Sequence, residues 1–238
     1  VHVVDMRNES VLQGGPTVCS GDLRTAIQDR LDRQEQVMLL LNRRGYATSL
    51  ICPKCGQVEE CHHCSVSMTY HRKRNELACH ICGDLRKVPN CCPNSACRTP
   101  HFKFAGLGTE KIEGMLHGMF PRAVIRRMDS DTMTRKGSYE KVLGEFRTGK
   151  IDILVGTQMI AKGLHFPNVT VVGVLCADIV LFMPDFRAGE RVFRLLCQVA
   201  GRTGRGPLGG QVIVQTFSPN HYAVAAASAQ DYSEFYRK

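Results

Sequence analysis

Nine of the twelve cysteines in the chain fall between Cys52 and Cys97, most of them in C-x-x-C pairs, and no other feature restricts the possible fold so strongly. From about Ile51 to Phe102 the composition turns to Cys, His and basic residues with few aliphatics, so this stretch cannot build an oily core. Something other than buried hydrocarbon has to hold it. The pairs are Cys52/Cys55, Cys61/Cys64, Cys79/Cys82 and Cys92/Cys97. Two intervening residues let a tight turn bring both thiolates onto one ion, and four thiolates close a tetrahedral zinc site. Eight sulfurs therefore predict two structural zinc ions. Glycine just past the second sulfur, in "CPKCG" and "CHICG", suits a turn residue at positive φ.

The fourth pair is looser, because "PNSA" separates Cys92 from Cys97 and Cys91 competes with its neighbour. The Cys-Pro dipeptide, repeated from Cys52, favours Cys92. Spacing does not decide which pairs share an ion. A nested arrangement puts the first and last pairs on one ion and the two middle pairs on the other, across a "SVSMTYHRKRNELA" hairpin. It ties the ends of the block together and is preferred to sequential pairing. Disulfides and redox C-x-x-C chemistry are the competing readings, and neither accounts for four pairs in tandem. With eight cysteines as ligands, His62, His63, His71, His80 and His101 read as surface or nucleic-acid-facing residues, and "HRKRN" as a solvated basic turn.

Around the block the chain alternates between two periodicities. "DLRTAIQDRLDRQEQ" (22–36) spaces Leu23, Ile27 and Leu31 four apart, an amphipathic helix, and "VMLLL" (37–41) is an apolar run suited to a fully buried strand. Beyond the block, "TEKIEGMLHGMF", "SYEKVLGEFRTGK" and "AGERVFRLLCQVAGR" predict helices, and "RAVIRRM", "DILVGT", "TVVGVLCAD" and "GQVIVQTF" predict strands. Strands buried on both faces and separated by helices mean an α/β fold with a parallel sheet, the Cys-rich block being an insert after the first strand. Residues 1–21 read as irregular, and the tail "HYAVAAASAQDYSEFYRK" as helix.

Three segments concentrate chemistry at predicted strand ends. "GLGTEK" (106–111) places Thr109 at a helix start, where free amides and a hydroxyl can take a phosphate oxygen. "GTQMIAKGLHFP" (156–167) follows a strand and places Thr157 and Gln158 at its carboxyl end, with Lys162 and Gly163 one loop on. In "CQVAGRTGRG" (197–206), Gln198, Arg202 and Arg205 lie at i, i+4 and i+7, while Val192, Leu195, Leu196 and Val199 form an apolar stripe. Glycines at 201, 204 and 206 fray such a helix and suit close approach of another surface. A rigid guanidinium there can stabilise charge on a transferring phosphoryl group. No G-x-x-x-x-G-K-[ST] phosphate loop occurs in the 238 residues, so the arginines would complete a nucleotide site whose other half lies on a different domain.

The order "LNRRG", paired-cysteine insert, "GLGTEK", "DSDT", "GTQMIAKGLHFP", "ADIVLFMPDFRAGER", "QVAGRTGR" resembles the second RecA-like lobe of the PriA family of superfamily 2 helicases. The resemblance covers the chain from end to end. It implies a RecA-like parallel sheet with flanking helices, a P-loop NTPase-type second helicase lobe, interrupted by a small two-zinc insert. Its boundaries are residues 1–50 and 103–218 for the lobe, 51–102 for the insert and 219–238 for the start of a truncated C-terminal region.

The resemblance further implies an ATP-dependent 3′-to-5′ DNA helicase that acts in primosome assembly and replication restart. In its terms Gln198, Arg202 and Arg205 face a nucleotide, one arginine being the finger on the γ-phosphate. Lys162, Gly163 and Asp178 bind the nucleotide or couple it to the DNA, and Thr109, Thr157, Gln158, Arg43 and Arg44 contact the DNA. His165 stands where many superfamily members carry Asp. The implied cofactors are two zinc ions, on Cys52, Cys55, Cys61, Cys64, Cys79, Cys82, Cys92 and Cys97, and ATP with magnesium held mainly by an absent first lobe. The implied partners are branched and single-stranded DNA, primosome proteins and single-strand-binding proteins, with the parent a cytoplasmic monomer. The chain by itself, lacking Walker A and Walker B motifs, is expected to be inactive.

Charge agrees with a polyanionic partner: 31 basic against 22 acidic residues leave a net +9. No apolar run approaches the roughly 20 residues that span a bilayer, and Val1 reads as the start of an excised piece. The main alternative is a non-enzymatic zinc module that binds nucleic acid or protein. It explains the insert and the charge, but not the α/β alternation.

Overall fold

The computed structural model describes residues 1–13, 17–41, 49–71, 74–100, 109–129, 132–133, 137–157, 160, 166–183, 185–201 and 209–237. Among the described residues nine strands form two sheets. Strands β1 (His2–Asp5), β2 (Gln36–Leu40), β6 (Ile125–Met128), β7 (Ile153–Gly156), β8 (Val169–Val174) and β9 (Gln211–Thr216) make a six-stranded sheet in the order β1-β9-β8-β2-β7-β6, with every pairing parallel. Strands β3 (Thr69–His71), β4 (Glu76–Ala78) and β5 (Leu85–Lys87) make a small antiparallel sheet within the insert.

The helices are α1 (Met6–Leu12), α2 (Gly21–Asp32), α3 (Thr109–Met119), α4 (Ser138–Arg147), α5 (Asp178–Leu181), α6 (Ala188–Ala200), α7 (Tyr222–Ala229) and α8 (Tyr232–Tyr236). Every residue of β2, β7 and β8 is buried, as the uninterrupted apolar runs require of strands covered on both faces. Side chains alternate across the sheet, so each strand feeds two cores. Val37 and Leu39 of β2 pack with Leu23 and Ile27 of α2 and with Ile112 and Leu116 of α3. Met38 and Leu40 pack with Leu143 and Phe146 of α4 and with Val192, Leu195, Leu196 and Val199 of α6. The apolar stripe read from α6 is thus the face it buries.

The segment 2–12, read as irregular, is a strand followed by a helix. Asp5 caps α1 by accepting from the Arg7 amide, and β1 pairs with β9 from His2↔Ile213 to Asp5↔Thr216. A four-residue edge strand whose partner lies about 200 positions away carries too short a pattern to be read locally. The run 170–178 also splits: β8 stops at Val174, and Asp178 opens α5. In the tail, Gln230 takes a left-handed φ of 55°, and Asp231 then caps a second helix. Helix α7 buries Ala223, Val224, Ala226 and Ala227 in the same core as α6.

Because all six strands of the large sheet run the same way, their carboxyl ends share one edge. Phe217, Ala177, Thr157 and Asp129 lie there, and the chain enters the insert from that edge after β2. Among the described residues no helix is long and apolar enough to cross a membrane.

Candidate metal centres and the carboxyl edge of the sheet

The eight paired cysteines converge in two tetrads, Cys52/Cys55/Cys92/Cys97 and Cys61/Cys64/Cys79/Cys82, with the sulfurs of each within 4.8 Å of one another. This is the nested arrangement, and the β3–β4 hairpin separates the two middle pairs. Cys91 is exposed and outside both tetrads, whereas Cys92 is 1 % exposed and inside. The sulfur separations test the donor set. Four ligands at about 2.3 Å from a tetrahedral zinc lie about 3.8 Å apart. Cys52 and Cys97 are 3.8 Å apart, Cys55 and Cys92 3.5 Å, and Cys61 and Cys82 3.6 Å, far beyond a disulfide bond. The thiols fit zinc without rearrangement.

One local turn builds each half-site. The amide four residues after the first Cys donates to that Cys carbonyl at Gly56, Ser65 and Gly83, and each of these residues has positive φ. The first Cys amide in turn donates to the carbonyl one residue further on, at Gln57, Val66 and Asp84. In the fourth pair the two extra residues are absorbed without losing the turn. Asn94 supplies the carbonyl for Cys97 and Arg98, Arg98 takes the positive φ, and Cys92 donates to Thr99. Amides of Cys82 and Ile81 aimed at the Cys79 sulfur draw its pKa down to about 7, favouring the thiolate that a metal needs.

At the carboxyl edge Thr109 and Thr132 both meet Asp129. The Thr109 hydroxyl donates to Asp129 Oδ2, the Thr132 amide donates to Oδ1 at 3.0 Å, and Arg127 Nε lies 3.3 Å from Oδ2. Burial alone would raise the Asp129 pKa. The Thr109 and Thr132 hydrogen bonds and the Arg127 charge outweigh it and hold the carboxyl below its ordinary range. Thr109, expected at the DNA, therefore has its hydroxyl proton committed to Asp129 and is 8 % exposed. Sequence reasoning missed Asp129 as the hub, since nothing local ties residue 129 to residue 109.

Asp178 is also placed differently from expectation. It is wholly buried, and its carboxylate accepts from Thr216 Oγ1 at 3.0 Å and from the Phe217 amide at 2.9 Å. Burial raises its pKa. Both of its oxygens fasten α5 to the end of β9, and the side chain has no exposed surface. Thr157 is buried at the end of β7, and Gln198 is half-buried on α6 beside the apolar stripe. Arg43, Arg44, Gln158, Lys162, Gly163, His165, Arg202 and Arg205 lie outside the described residues.

Two family models match the chain: the PriA DNA helicase Cys-rich region over residues 61–87, and the helicase conserved C-terminal domain over residues 109–207. The replication restart protein PriA of Bacillus subtilis is 48 % identical over 100 % of the chain, which covers 29 % of that protein. Its counterpart in Chlamydia pneumoniae is 46 % identical over 88 % of the chain and 28 % of the relative. In Haemophilus influenzae the figures are 42 %, 98 % and 31 %. The chain thus spans under a third of these relatives. Nested thiol tetrads in an insert within a parallel α/β lobe, and identity to PriA proteins across all of that lobe, place the chain in the PriA helicase family as a helicase C-terminal domain with its zinc-binding Cys-rich region.

Proposed function

We propose that the chain is the C-terminal half of an ATP-dependent motor that tracks DNA 3′ to 5′ and works in replication restart. The observation that carries the reading is the shared carboxyl edge. The strand ends that precede the "GTQMIAKG" and "DSDT" segments and the root of the Cys-rich insert lie on one side of one parallel sheet, where open α/β sheets bind ligands. ATP and magnesium sit on a first lobe outside this chain. Arg202 and Arg205, following α6, close over its triphosphate with Gln198, and one arginine stabilises the charge of the γ-phosphoryl group in flight. Lys162, Gly163, Thr157 and Gln158 pass closure on to the DNA backbone, and Arg43 and Arg44 face the same strand.

Each thiolate tetrad holds one zinc, which supplies cohesion where carbon side chains do not. The insert supports strand separation and offers a surface to primosome and single-strand-binding proteins. The parent works as a cytoplasmic monomer on single-stranded and branched DNA.

The test compares this chain alone with the full-length parent. The chain alone should hydrolyse essentially no ATP, and the parent should show DNA-stimulated turnover that Arg202→Ala or Arg205→Ala abolishes. Near-normal turnover in both variants refutes the assignment.

A further inference from the structure

The two thiol tetrads sit in different surroundings. The turn that carries Cys52 and Cys55 is planted in the lobe. Ile51 and Val58, which bridge across its base, are each 4 % exposed and belong to the core beneath α2 and α3, not to the insert's own cluster. Gly56 has a φ of +79°, and a Cβ on it would overlap the carbonyl oxygen of Phe217, just past β9. Phe217 is in turn held by Asp178 through its amide. Just before this turn, Ser49 Oγ donates to the Phe182 carbonyl at 2.8 Å.

Arg7 closes the seat from the lobe side. Its Cδ lies 3.7 Å from where a Gly56 Cβ would be. Its guanidinium is gripped by Asp5, with Nε 2.8 Å from Oδ1 and Nη2 2.6 Å from Oδ2. The Asp5 hydrogen bond raises the Arg7 pKa, and the fields of Cys55 and Asp178 add to it. A divalent ion ringed by four thiolates carries net negative charge, which a fixed guanidinium offsets. Among the described residues the other tetrad has no such anchorage. Its Cys82 is exposed, and Ile81 and Leu85 beside it are 61 % and 59 % exposed.

We propose that the Cys52/Cys55/Cys92/Cys97 centre is the joint fixing the insert to the lobe, with Arg7 as its positioning residue, and that the chain's two metal ions are held unequally. The outer ion, on Cys61/Cys64/Cys79/Cys82, exchanges freely. The inner ion leaves only when the seat on Phe217 opens. Since Phe217 and Asp178 belong to the carboxyl edge, a shift of that edge moves the insert as a body. The inference rests on the reading of the tetrads as zinc sites, which a zinc-to-chain ratio of two tests before any release is measured. A lower ratio overturns that reading and the joint with it.

The experiment follows zinc release from this chain into an excess of a chromogenic zinc chelator, whose absorbance change on taking up the ion is the readout. Wild type should lose one equivalent fast and one slowly, and Cys64→Ser should lack only the fast phase. Arg7→Gln should accelerate the slow phase about tenfold and leave the fast phase alone, the usual scale for removing an outer-shell partner. Gly56→Ala should do the same without a change of charge, and serves if Arg7→Gln fails to fold. In Cys64→Ser chain loaded with cobalt, Arg7→Gln should also shift the sulfur-to-cobalt charge-transfer band, which lost packing by itself would not move. Release of both equivalents in one phase overturns the joint. So does a slow phase indifferent to both seat variants, or an unmoved cobalt band.

Discussion

Cys91 and Cys92 are adjacent, chemically identical and assigned opposite fates by the fold, so they make a sharp test of the metal centres. Cys92→Ser removes one of four sulfurs from the inner tetrad, where the sulfur separations of 3.8 and 3.5 Å already match the edges of a zinc tetrahedron. The insert's buried cluster is Leu50, Cys52, Cys61, Met68, Leu77, Cys79 and Cys92. Three of its seven members are carbon-rich, and at about 2 kcal/mol each they contribute about 6 kcal/mol. A single structural zinc contributes about 10–16 kcal/mol, so the metal dominates and its loss should unfold its end of the insert. Mass spectrometry under native conditions should read one zinc per chain for Cys92→Ser and two for Cys91→Ser. Limited proteolysis should then nick Cys92→Ser within residues 52–60 and 91–100 while the lobe stays intact. Two zincs in Cys92→Ser, or one in Cys91→Ser, would refute the assignment of ligands.

Two further perturbations probe the lobe. Gln215 is wholly buried, accepts from the Ser20 amide at 2.7 Å and donates to the carbonyls of Val18 and Leu175. Gln215→Leu strands all three partners and should cost about 3 kcal/mol in urea denaturation, and a loss under about 1 kcal/mol would contradict this accounting. The lowered pKa of Asp129 adds stability that is present above the unfolded carboxyl pKa of about 3.9 and is lost as pH falls through the lower folded value. Asp129→Asn should therefore destabilise the chain by about 2 kcal/mol at neutral pH and converge with wild type in acid. A gap between the two stability curves that persists at the lowest pH would show that Asp129 acts through packing instead of charge.

What the sequence determined by itself was whatever short-range order controls. The C-x-x-C spacing defines which sulfurs can turn onto one ion, and the glycines after Cys55 and Cys82 mark where positive φ is needed. The four-residue stripe of α6 and the apolar runs of β2, β7 and β8 announce a parallel α/β lobe, because burial on one or both faces imposes its own period. Tertiary structure alone decided the pairings that join distant residues. It put β1 beside β9, gave the Thr109 hydroxyl to Asp129, turned Asp178 inward onto Thr216 and Phe217, and seated Gly56 against the Phe217 carbonyl. A hydrogen bond or a close approach between residues some 20 to 200 positions apart leaves no periodicity in either segment. It exists only once the sheet has brought the strand ends to one edge.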